Sequence, residues 1–199
     1  MSELPWPLPG RTDLRDRLLA SYGDDRGYHD QRHLAEVLAR IDELGEGDSP
    51  AIVLAAWFHD AVYDGGADDE ERSALLAETE LAGEDVDVTE VARLVRLTSD
   101  HDPAPGDHAG AVLCDADLAI LAADPDRYAE YAAGVRRDFA HVPDEDFRAG
   151  RLAVLTELLA RESLFRTEHA RRAWDPRARE NLAREISELA ASGGEDLPR

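Results

Sequence analysis

Three places in the sequence carry side chains able to chelate a cation or move a proton. His29 and His33 lie four residues apart, His59 and Asp60 adjoin at the end of the apolar run AIVLAAWF, and the acids Asp115 and Asp117 stand far downstream in DAD. On a helix, residues four apart share a face, so the first pair would stack one turn apart. Imidazole nitrogen and carboxylate oxygen together suit zinc, iron, manganese and related divalent ions, and His33, His59, Asp60 and Asp117 would supply four ligands. Each has a duller reading alone: a satisfied His-Asp pair, an incidental histidine pair, acids that cap a helix. The position of Asp60 argues for the combination. A carboxylate at the end of the most apolar helix costs several kcal/mol or more to bury unpaired, and a cation would offset that cost.

Rigid elements must hold such a set, and apolar residues at three- and four-residue spacing predict helices almost throughout. They are expected near 12–22, 29–45, 50–63, 68–82, 87–100, 115–122, 125–140, 144–161 and 168–190. Leu34, Val37, Leu38, Ile41 and Leu44 make one apolar stripe. Ser49-Pro50 and Asp124-Pro125 are helix starts, and GEGDSP and DPAPGDH read as loops. The expected fold is an all-α bundle, a single domain over residues 11–190 with a loose amino terminus (1–10) and a loose tail (191–199). Asn181 and Glu185, sharing a face of the last helix, are expected to lock it to the bundle.

Composition narrows the chemistry. A net charge of −22 repels a phosphate backbone, which argues against duplex nucleic acid as a partner. All 22 basic residues are arginine, so neither a P-loop lysine nor a Schiff-base lysine takes part. Cys114 is the single cysteine, which leaves no internal disulfide and no cysteine-based zinc cluster. No apolar stretch approaches the ~20 residues of a membrane span and the amino terminus lacks the blocks of a signal peptide, so a cytoplasmic protein without a membrane partner is expected.

The stretches RGYHDQRH (26–33), AAWFHDAVYD (55–64), DEERSA (69–74), LTSDH (97–101), DADLAIL (115–121), YAAGVRRDF (131–139), GRLAVL (150–155) and ARENLAREI (178–186) together resemble the HD-domain superfamily of metal-dependent phosphohydrolases, most closely a bacterial family of predicted HD-type enzymes. The resemblance implies an HD-domain helical bundle with His33, His59, Asp60 and Asp117 as metal ligands. It favours Asp117 over Asp115 as the last ligand, Asp115 then orienting a ligand or capping its helix. Tyr28-His29 with His33 is also similar to cyclic-nucleotide phosphodiesterases, in which the first histidine protonates the leaving oxygen; this chain has Asp30 where those enzymes carry Asn.

The expected activity is hydrolysis of a small phosphate ester, a nucleotide or related metabolite, by water activated at a divalent ion (Mn, Mg, Fe, Co, Ni or Zn). Asp60 would orient the water and His29 would donate the proton. Arg26, Arg136 and Arg151, inside the matching stretches, would bind phosphate, with surface or helix-pairing roles as the plainer alternative. His101 is read as a ligand of a second ion, a substrate contact or a helix C-cap, and Glu70 as an outer contact of the centre. Carbon–carbon cleavage at a di-iron site would need further histidines, of which His101 is the only candidate. The alternative class is a regulatory helical module that binds metal or nucleotide without turnover, and either is compatible with a homodimer.

Overall fold

The computed structural model describes residues 4–23 and 26–192, which hold ten α-helices, one 3-10 helix and no strand. The all-α expectation is borne out at the level of fold class. Contacts divide the chain into two compact units, one ending at Asp117 and the other beginning at Leu118.

The first unit contains α1 (Thr12–Ser21), α2 (Gln31–Glu43), α3 (Pro50–Phe58), α4 (Asp69–Glu80), α5 (Val88–Leu97) and nearly all of α6 (His108–Leu118). Every α3 residue from Ile52 to Phe58 is buried, as befits a helix apolar all round. It packs against α2, α4 and α5. Burial of Leu54, Trp57 and Phe58 contributes roughly 2–3 kcal/mol each. Helix α2 is the amphipathic case: Leu34, Val37, Leu38 and Ile41 face inward, and Leu44 packs partly buried on the core.

The expected loose ends fall partly outside the described residues, at 1–3 and 193–199. Within the remainder, Leu4, Trp6 and Leu8 lie against the core. Trp6 meets Trp57 edge-on at 5.1 Å, and Trp57 Nε1 donates to the Pro5 carbonyl at 2.8 Å.

The second unit holds the 3-10 helix (Ala119–Ala122), α7 (Pro125–Asp138), α8 (Asp144–Ala160), α9 (Glu168–Ala173) and α10 (Asp175–Ser192). Asn181 and Glu185 do tie α10 in place. Asn181 Nδ2 donates to the carbonyls of Leu121 and Ala123, and Glu185 accepts from Arg151 on α8 and from the Tyr128 hydroxyl on α7.

The helix expected over 50–63 ends at Phe58, so that His59 and Asp60 follow it, and three further boundaries depart from expectation for local reasons. α2 starts at Gln31 because Asp30 is its N-cap, accepting from the backbone N–H groups of Arg32 and His33; His29 therefore precedes the helix. α6 starts at His108, seven residues before the expected 115, because Asp107 accepts from Gly110 N. The continuous helix expected over 168–190 breaks at Trp174, where Asp175-Pro176 restarts the chain as α10. Asp175 also accepts from Leu164 N and pairs with Arg179.

Candidate metal centre

The centre grows from the way α3 ends. A helix terminus leaves carbonyls without intrahelical partners, and here the surrounding groups satisfy them in order. His59 N donates to Ala55 O, His59 Nδ1 to Ala56 O at 2.8 Å, the Tyr22 hydroxyl to Trp57 O at 3.2 Å, and Ala61 N to Phe58 O. Arg26 donates to Asp60 O at 2.7 Å, His29 O at 3.0 Å and Ala61 O at 3.4 Å while its guanidinium lies over the Tyr22 and Tyr63 rings. Tyr22 Oη also accepts from Asp60 N. The backbone carrying His59 and Asp60 is thus fixed from several sides.

The bond to Ala56 O settles the chemistry of one ring. A carbonyl only accepts, so His59 Nδ1 carries the proton, and in the neutral ring Nε2 presents a lone pair. That Nε2 lies 3.0 Å from Nε2 of His33, whose Nδ1 shares a hydrogen bond with Tyr28 Oη at 2.9 Å. Asp60 Oδ2 sits 3.2 Å from His33 Nε2 and 3.1 Å from His59 Nε2; Asp117 Oδ1 sits 3.2 and 3.6 Å from the same two atoms. Both imidazoles are buried.

Asp60 Oδ2 is buried without a hydrogen-bond partner although two ring nitrogens are close. An orphaned buried carboxylate oxygen calls for an explanation, and the donor set offers one. Ligands about 2.1 Å from one cation at tetrahedral or octahedral angles stand ~3.0–3.4 Å apart, close to the separations found. His33, His59 and Asp60 are placed so that one ion can touch all three.

Charge in the centre points the same way. Burial disfavours the imidazolium forms of His33 and His59, yet the adjacent carboxylates outweigh it and both rings hold a proton more tightly than usual. Burial likewise opposes ionisation of Asp60 and Asp117, but the His59 charge foremost holds both well below the usual carboxylate range. Two anions packed among imidazoles attract positive charge, which protons or a cation can supply.

Other expected site residues lie at varied places. His29 borders the centre, stacked on Tyr63 at 4.1 Å between ring centroids and edge-on to His33 at 5.6 Å. His101, in the turn after α5, has φ +52° and donates from Nε2 to Asp117 Oδ2 at 2.7 Å. Asp117 lies near the end of α6, not at the opening of a helix, and Asp115 is fully buried inside α6, so neither caps a helix start. His108, expected in a loop, is the exposed first residue of α6 and pairs with Glu46. Of the first-turn acids of α4 the fold buries Asp69 rather than Glu70; Asp69 Oδ2 accepts from the backbone of Asp64, Gly65 and Gly66.

The arginines read as phosphate ligands make protein contacts. Arg26 holds the His59-Asp60 turn, as above. Arg136 closes the end of α7 by donating to Phe139 O and Val142 O and pairing with Asp144. Arg151 forms a two-pronged pair with Glu185 and lies over Tyr131. Cys114 is buried, and burial pushes its thiol pKa up, consistent with an inert apolar role. Tyr22 and Tyr28, which steady the ligand-bearing segments, escaped the sequence reading; only the adjacency of Tyr28 to His29 hinted at one of them.

No family model matches the chain, and comparison with curated proteins and with solved structures likewise gave no match.

Proposed function

We propose that the chain is a metal-dependent phosphohydrolase of HD type, acting on a small phosphate ester such as a nucleotide, with His33, His59, Asp60 and Asp117 as the ligands of a divalent ion. The observation that carries this reading is the convergence of two imidazole Nε2 atoms and two carboxylate oxygens, one of them buried without a hydrogen bond. A divalent ion in that set supplies Lewis acidity towards a phosphoryl oxygen and a water acidic enough to react near neutral pH.

The protein's own groups fill the other roles. Asp60 orients the attacking water, and His29, beside the donor set and steadied by Tyr63, donates a proton to the leaving oxygen. Arg26 keeps the ligand-bearing turn in register through the Asp60 and Ala61 carbonyls. The contacts of Arg136 and Arg151 with protein acceptors favour a second reading, a metal- or nucleotide-binding module without turnover.

The test is a screen of phosphomonoesters, phosphodiesters and nucleotides with added Mn, Co, Mg, Fe, Ni or Zn. Metal-dependent turnover that falls 10²–10⁴-fold in His29→Ala supports the enzyme. Bound metal with no turnover on any substrate supports the module.

A further inference from the structure

His101 occupies a backbone conformation that few residues adopt. Its φ of +52° lies in the left-handed region, which in a turn after a helix ordinarily falls to glycine or asparagine. The turn is held locally, since His101 N donates to Leu97 O at 3.0 Å. From this backbone the imidazole reaches Asp117, and because a carboxylate accepts, Nε2–H is the donor to Oδ2 at 2.7 Å. The other oxygen of the same carboxylate, Oδ1, faces His33 Nε2 and His59 Nε2.

A carboxylate rotates about its last bond, and nothing in α6 alone selects which oxygen turns inward. Anchoring Oδ2 removes that freedom and leaves Oδ1 aimed at the two histidines. His101 comes from a different element than any ligand, so it also fixes the end of α6 against the turn after α5.

We infer that His101 is a positioning residue that pre-sets the Asp117 carboxylate for a divalent cation, rather than a ligand of a second ion. The inference rests on the metal centre proposed above. Hydrogen bonds of this kind to a ligating group typically govern metal affinity by 10–100-fold.

The test is calorimetric titration of the purified full-length chain with Mn²⁺ alone and with Zn²⁺ alone. His101→Gly keeps the left-handed backbone accessible and removes the donor, so affinity is expected to fall 10–100-fold while the ion-free protein keeps its helical circular dichroism. His101→Gln restores an amide donor near the position of Nε2 and is expected to recover most of the affinity. Wild-type affinity in a folded His101→Gly protein overturns the inference and leaves the centre standing. Two ions per wild-type chain, one of them lost in His101→Gly, overturn it in favour of direct ligation. Wild-type protein that takes up neither ion overturns the centre itself, and the inference with it.

Discussion

Nε2 of His59 faces Nε2 of His33 across 3.0 Å, and Nδ1 of His59 is bound to the Ala56 carbonyl at 2.8 Å. The second bond makes the first informative. It assigns the His59 proton to Nδ1, so a neutral ring turns a lone pair towards another imidazole and two carboxylates. Such a gathering is stable only with positive charge inside it.

Asp60→Ala is expected to abolish binding of a divalent ion and with it the ion-dependent rise in melting temperature. In the wild type, an ion at 100 times its dissociation constant adds about 2.7 kcal/mol of stability. Thermal melts of both proteins with and without Mn²⁺ check this, and an equal rise in the two would refute the assignment of Asp60.

Tyr22→Phe removes the hydroxyl that joins Trp57 O to Asp60 N inside the core. Leaving buried backbone groups unpaired costs about 1–3 kcal/mol, and the His59-Asp60 turn should loosen. Urea unfolding and Mn²⁺ titration are expected to show reduced stability and weaker ion binding together; a loss confined to stability would mean that the turn keeps its shape by other means.

Glu185→Ala strands the buried Arg151 guanidinium, and breaking a buried pair from one side costs about 3–5 kcal/mol. Arg151→Met strands Glu185 instead, but that carboxylate keeps the Tyr128 hydroxyl as a donor, so the substitution should cost less. The opposite order in chemical denaturation would show that the pair is not what holds α8 to α10.

The link between α5 and α6 should weaken in acid. Asp107 pairs with Arg93 and accepts from Gly110 N, and the Arg93 contact foremost holds its carboxyl below the ordinary 3.8. A carboxyl whose folded pKa is depressed contributes stability that is present above 3.8 and disappears as pH falls through the lower folded value. Asp107→Asn is therefore expected to flatten the stability–pH curve below about pH 4 relative to wild type; parallel curves would show that Asp107 does not contribute.

Much of the frame was legible because its signals are local. The stripe of α2 and the uniformly apolar α3 are patterns of adjacent residues, and both helices form inside their expected spans, α2 starting two residues later and α3 ending five residues earlier. The missed boundaries were also local but competed with stronger cues. The four-residue spacing of His29 and His33 predicts a helix that includes Asp30, whereas the Asp30 side chain caps the helix. The start of α6 was hidden in a segment rich in Pro, Gly and Asp, where Asp107 looked like loop. Asp175-Pro176 carries the same start signal as Asp124-Pro125, but it lies inside a longer apolar pattern that masks it.

For the site, residue types announced His33 and His59-Asp60, and the structure brings Asp117 to them. Their orientation was not legible. The partners that set it, Tyr22, Tyr28, the Ala56 carbonyl and His101, act across 3 to 38 residues of sequence. The positive φ of His101 has no signature in LTSDH. The arginines show the converse: motif membership suggested phosphate, but a guanidinium beside a carbonyl row or a buried glutamate finds its partners within the protein.

The central claim is met most directly by an anomalous-difference map from crystals soaked in Mn²⁺. A peak about 2.0–2.3 Å from His33 Nε2, His59 Nε2, Asp60 Oδ2 and Asp117 Oδ1 is the predicted result. Well-ordered crystals with no peak among these four atoms, or with manganese held only elsewhere, would contradict it.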